Sequence, residues 1–165
     1  MKININQIFI YPTDTIYGIG CNAENEKLVS KIREIKNRDE KPFSVIAPSV
    51  EWILNNFETF LDEVEKYLPG KYTLILKKKN PSFMNWVSEN DRIGVRIPDS
   101  DFTRELQRMG KPIVTTSVNV SGEPFATCIE EVNKKILEKV NKIYNYGKLS
   151  GTPSTLVIDG KEIIR

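Results

Sequence analysis

The sequence predicts a layered α/β domain. Short apolar runs of strand character alternate with longer stretches of helical periodicity, glycine and proline punctuate the joins, and 165 residues at 39% hydrophobic content suffice for one real core. Residues 8–11 form a short strand, followed by a loop through Gly18 and Gly20. Leu28, Val29, Ile32 and Ile35 mark a helix over residues 25–36, with Glu24 and Glu26 near its start, where the dipole favours negative charge. Residues 43–47 are strand-like. Ser49 is placed to cap a helix holding Trp52, Ile53 and Leu54, and a second amphipathic stretch covers 59–68 until Pro69-Gly70 stops it.

Residues 72–77 and 93–97 read as strands, 101–109 as a helix and 113–116 as a buried strand. A last helix is expected from Thr127, where Thr-x-x-Glu forms a capping box with Glu130, and Ile129, Val132, Ile136 and Val140 line one face. Strand-like pieces at 143–146, 155–158 and 162–165 complete the order. Lys77-Lys78-Lys79-Asn80-Pro81 is the one charge run and reads as a solvated loop.

Composition bounds the function. A second domain does not fit comfortably in this length, so residues 1–165 are expected to form one unit. Twenty-four Lys and Arg against 22 Asp and Glu give a net charge of +2, too little for a global field, so any polyanion site must be local. Cys21 and Cys128 make no C-x-x-C pair and fit free thiols in a reducing compartment, with the cytoplasm as the default. No apolar run approaches a membrane span, and the N-terminus lacks the apolar stretch of a signal peptide. No protein metal site is expected. The chain has no histidine, which excludes Ser-His and Cys-His nucleophile pairs, H-E-x-x-H sites and an imidazole base. Chemistry must rest on Lys, Arg, carboxylates, hydroxyls and backbone amides, with any metal brought by the ligand.

Gly18-Ile19-Gly20-Cys21-Asn22-Ala23, with Asp39 beyond it, matches a dinucleotide fingerprint. Pro12 and the polar Thr13-Asp14-Thr15 break the strand that such a fingerprint requires, so it is read as a decoy. No Walker loop occurs.

Lys36-Asn37-Arg38 falls where the first helical pattern runs out, and Ser117-Val118-Asn119 directly follows the strand at 113–116. Two cations, a hydroxyl and an amide at element ends are the groups that hold a polyphosphate and orient a nucleotide. Each has a plainer reading as well: a basic helix end, a turn after a strand, a helix cap at Thr127, a solvated edge residue at Arg96.

Tyr11-Pro12-Thr13-Asp14-Thr15-Ile16-Tyr17-Gly18, Lys36-Asn37-Arg38, Pro69-Gly70-Lys71-Tyr72-Thr73-Leu74-Ile75-Leu76, Gly94-Val95-Arg96-Ile97-Pro98, Thr116-Ser117-Val118-Asn119-Val120-Ser121-Gly122 and Pro153-Ser154-Thr155 succeed one another as in the YrdC/Sua5 family, which the chain resembles over almost its whole length. The resemblance implies a twisted, mostly mixed open sheet with flanking helices and a basic central cleft. It implies synthesis of threonylcarbamoyl-AMP and pyrophosphate from threonine, bicarbonate or carbon dioxide, and ATP, for threonylcarbamoyladenosine modification of tRNA. By the same resemblance Thr15, Arg96, Ser117 and Ser154 hold threonine, with Arg96 on its carboxylate. Lys36, Arg38, Lys41, Asn119, Thr127 and Arg165 surround the ATP, with Lys36 and Arg38 as the catalytic cations. Magnesium rides on the triphosphate, a downstream threonylcarbamoyl transferase complex takes the product, and contact with tRNA is weak.

The chain departs from the family pattern in three places. The segment after Arg38 is one residue short and lacks the usual proline, the N-terminus starts almost at the first strand, and the chain ends at Arg165 where longer members continue. Two other classes fit the same pattern: a non-catalytic RNA- or nucleotide-binding module, and a paralogue making a different carbamoyl or acyl adenylate.

Overall fold

The computed structural model describes residues 2–38 and 41–165. Asp39 of the dinucleotide decoy and part of the shortened segment after Arg38 lie outside the described residues. The strands are β1 (Phe9–Tyr11), β2 (Gly18–Gly20), β3 (Ser44–Ile46), β4 (Tyr72–Lys77), β5 (Arg92–Arg96), β6 (Ile113–Ser117), β7 (Lys142–Ile143), β8 (Thr155–Ile158) and β9 (Lys161–Ile163). The helices are α1 (Glu26–Lys36), α2 (Val50–Asn56), α3 (Leu61–Tyr67), α4 (Asp101–Gln107) and α5 (Lys134–Leu137). One mixed sheet runs in the order β7-β1-β2-β6-β3-β5-β4-β8-β9.

Two-residue periodicity divides the side chains of β1 between the sheet's faces. Ile8 and Ile10 join a core with Val29 and Ile32 of α1, Ile53 of α2 and Val64 of α3. Phe9 and Tyr11 join a second core with Phe102 and Leu106 of α4. Helices therefore cover the sheet on both faces. Their starts follow local chemistry, since the Asn25, Ser49 and Ser100 side chains accept from the N–H groups of Leu28, Trp52 and Thr103.

Three expectations need correction. Residues 18–20, read as loop, form β2, which pairs with β1 and β6; a Cβ on Gly20 would lie 2.0 Å from the Val114 carbonyl oxygen, so only glycine lets these backbones approach. The last helix is broken. A 3₁₀ turn at Ile129–Glu131 ends at the extended Val132, Asn133 recaps α5 through Lys135 N–H, and Thr127 bonds Glu131 rather than Glu130. Finally, Lys78 is no solvated lysine: it is 2% exposed, and its ammonium donates to Ser88 O at 2.7 Å and Asn85 Oδ1 at 3.1 Å.

Candidate active site

The register of the central strands builds the floor of the site. Ser44 of β3 lies between Thr115 of β6 and Gly94 of β5. A Cβ on Gly94 would fall 2.3 Å from Ser44 Oγ and 3.0 Å from Thr73 Cγ2, so the bare glycine keeps small polar groups packed on this face. A cavity of about 270 Å³ opens above them, walled by Thr13 and Thr15, by Ser117 and Asn119, by Pro124 and Phe125, and by Ser154. Three guanidinium groups reach it: Arg38, Arg96 and Arg165.

Each arginine is held from behind. Arg96 ends β5, and Asp14, in the turn between β1 and β2, accepts from its Nη2 at 2.5 Å. Arg96 Nη1 donates to Thr15 Oγ1 at 3.3 Å. Arg38 follows the left-handed Asn37 that ends α1; its Nη2 donates to Pro42 O at 2.9 Å, and its guanidinium carbon lies 5.5 Å from the centre of the Phe43 ring. Arg165 returns to the site because β9 pairs antiparallel with β8. Its Nε donates to Ser154 O at 2.9 Å and its Nη2 to Ser154 Oγ at 2.7 Å, while Ser154 Oγ lies 2.6 Å from Thr73 Oγ1. Among the described residues, Nε of Arg38 and Nε of Arg96 are buried without a hydrogen-bond partner. Burial pulls the pKa of Arg165 down, and Arg96 and then Arg38 add to the effect, a sign of cations crowded together. Such a surplus of directed donors suits an anionic ligand.

Lys36 has a different place from the one expected. It does not line the cavity and is 1% exposed. Its ammonium donates to Asn119 O and Asn119 Oδ1, each at 2.9 Å, and to Ser117 O. Ser117 Oγ donates to Asn119 Oδ1 at 2.7 Å, and Asn119 Nδ2 donates to Glu123 O at 2.6 Å. The two motifs at the ends of α1 and β6 thus meet as one internal network that fixes the loop after β6. Burial, with Arg38 second, pushes the Lys36 pKa down to about 7, yet three acceptor oxygens call for three N–H groups, which only the ammonium has.

Of the remaining sequence candidates, Thr15 and Ser154 line the cavity. Lys41 and Thr127 do not. Lys41 is exposed and its carbonyl accepts from Arg33 Nη1 at 2.5 Å, whereas Thr127 is tied to Glu131 and accepts from Leu149 N–H at 2.7 Å. Sequence reasoning missed Asp14, Thr73 and Phe125. Thr73 and Asp14 were inside quoted motifs, but nothing in a linear pattern says that Asp14 meets Arg96 82 residues away. Among the described residues, no three His, Cys, Asp or Glu side chains gather where they could hold a metal ion, and no helix is long and apolar enough to cross a membrane.

The mixed sheet with flanking helices is that of the Sua5/YciO/YrdC family, described under telomere recombination, to which the chain belongs: the family model matches residues 2–165. A Methanocaldococcus jannaschii relative, which bears the name threonylcarbamoyl-AMP synthase in provisional form, is 40% identical over 96% of this chain and 77% of its own. The threonylcarbamoyl-AMP synthase of Vibrio campbellii is 31% identical over 90% of this chain and 84% of its own. Among solved structures, P. abyssi Sua5 complexed with L-threonine superposes with a TM-score of 0.84 at 27% identity, covering 96% of this chain and 49% of that one, so this chain spans about half its length.

Proposed function

We propose that this chain is a threonylcarbamoyl-AMP synthase that condenses threonine, bicarbonate or carbon dioxide, and ATP, releases pyrophosphate and serves threonylcarbamoyladenosine formation in tRNA. The observation that carries it is the convergence of Arg38, Arg96 and Arg165 on one cavity, where only Arg96 has a carboxylate partner among the described residues. Relatives bearing the name of this activity, and a threonine complex of a structural relative, supply the substrates.

In this reading Arg96 grips the threonine carboxylate, with Thr15, Ser117 and Ser154 around the rest of the amino acid. Arg38 and Arg165 neutralise the triphosphate, and the Asn119 loop, braced by Lys36, positions the nucleotide. Lys41 and Thr127 stand outside the lining, and no contact supports a role for either. Carboxylation of the threonine amine gives a carbamate whose oxygen attacks the α-phosphorus; the P–O bond to the β-phosphate breaks and pyrophosphate leaves with its electron pair. Fixed cations lower that barrier by aligning the reactants and offsetting phosphate charge, with no protein nucleophile. The residues present suit magnesium arriving on the triphosphate, because among the described residues no three His, Cys, Asp or Glu side chains gather where they could hold the ion themselves.

The chain acts as one unit in the cytoplasm, passes its unstable product to a transferase complex and touches tRNA weakly. The test is pyrophosphate release from the purified protein. Release that requires ATP, threonine and bicarbonate together is expected. None under any combination would leave a binding module, and release with another amino acid or acid would make it a paralogue.

A further inference from the structure

Glu123 lines the cationic cavity from an exposed position, whereas Asp14 does not line it and is instead buried against it, in an ion pair with Arg96. Thr13 and Thr15 on either side of Asp14 do line it. Its side chain is 6% exposed and spans two elements: Oδ1 accepts from Arg96 Nη2, and Oδ2 accepts from the N–H of Asp99 at 2.9 Å, in the loop that leads into α4. With Thr15 Oγ1 on Nη1, two of the three guanidinium nitrogens are fixed by the turn between β1 and β2, and the third, Nε, is buried and unpartnered. An arginine side chain free to rotate would lose rotamer entropy on gripping a ligand; this one has already lost it.

The geometry points to Asp14 as a positioning residue that acts through Arg96, fixing its guanidinium so that its remaining donors meet the carboxylate of the amino-acid substrate. The inference rests on the threonine reading above. Asp14 sets how well Arg96 works for one substrate and leaves the nucleotide side, carried by Arg38 and Arg165, alone. Its negative charge also keeps the arginine ionised against the cost of burial.

The test is a double-mutant cycle read by calorimetric titration of threonine and of ATP on the intact chain. Asp14→Ala should weaken threonine binding at least about tenfold and change ATP binding less than about twofold, and in an Arg96→Ala background it should add less than about twofold to the threonine loss. Asp14→Asn keeps the side-chain shape, loses one of the two acceptors and should show the same selectivity if the alanine variant does not fold. Equal losses for both ligands, or a full threonine loss still added on top of Arg96→Ala, would overturn the assignment and make Asp14 a general structural clamp. Threonine-dependent pyrophosphate release by the unaltered protein is measured alongside. If that is absent, the synthase reading itself fails and the role assigned to Asp14 goes with it; if it is present while the cycle shows no coupling, only the role of Asp14 fails.

Discussion

Arg96 and Lys36 show how two buried cations in one site serve different ends. Arg96 lines the cavity with an unsatisfied Nε, so Arg96→Ala removes a charge-assisted grip and should weaken threonine binding by roughly 2 to 4 kcal/mol while ATP affinity stays nearly constant. Titration of the two ligands separates them, and equal losses would make the arginine structural. Arg165 is anchored to Ser154 by two hydrogen bonds, so it is as well placed as an internal residue despite ending the chain. Its deletion should raise the ATP requirement about tenfold, roughly 1.4 kcal/mol, without unfolding. An unchanged ATP dependence at an unchanged melting temperature would exclude a role on the nucleotide. Lys36 spends its donors on the loop after β6, so Lys36→Met should disturb ATP and threonine use together, a pattern distinct from that of either arginine.

The elements hold the site through close backbone approaches more than through large side chains. Gly20→Ala would drive a Cβ into the Val114 carbonyl at 2.0 Å and pry β2 from β6, two positions from where Gly18 pairs with Ser117. Overpacking of this kind costs about 1 to 3 kcal/mol, and thermal melts should show the loss even with saturating ligands present. The same glycines explain why β2 escaped the sequence reading: Gly-Ile-Gly lacks the apolar and β-branched run that marks a strand, and pairing on both sides supplies what propensity does not. Strands with a continuous apolar or β-branched run, such as β4 and β6, and helices with a capping side chain, such as α1 and α2, were readable within a residue or two. The broken helix near Thr127 was not, because Asn133 competes as a new cap and the apolar spacing alone cannot show where a helix restarts. In the site, the family resemblance named the residues, but only the fold could sort cavity-lining Arg38 and Arg165 from the buried brace Lys36 and from Lys41 outside the lining. Asp14 and Thr73 depend on contacts more than 80 residues apart in sequence, which no local pattern carries.

Across the whole molecule a net charge of +2 hides a folded state that buries several cations at a cost, and that cost has a pH signature. Lys36 has its pKa lowered by burial from 10.5 towards about 7, with its three acceptor oxygens moving the onset upward from there. Above that onset the unfolded chain still binds the lysine proton while the folded one releases it, so stability rises with pH, at a limit of about 1.4 kcal/mol per pH unit for one proton. Cys21 works in the opposite sense: burial raises its pKa from 9.0 to about 12, so above pH 9 the unfolded thiol ionises first and stability falls. From pH 9 to about 10.5 the two slopes cancel, so together they give a stability plateau over that range and a fall beyond it. Activity should move the other way over the rising limb, since a neutral Lys36 has two N–H groups for three oxygens and releases one bond in the loop that carries Asn119. Denaturant titrations and pyrophosphate release between pH 7 and 9 test this directly. In Lys36→Met both slopes should flatten. A rising stability limb that persists in this variant would place its origin in another buried cation, such as Lys78, whose pKa burial also lowers.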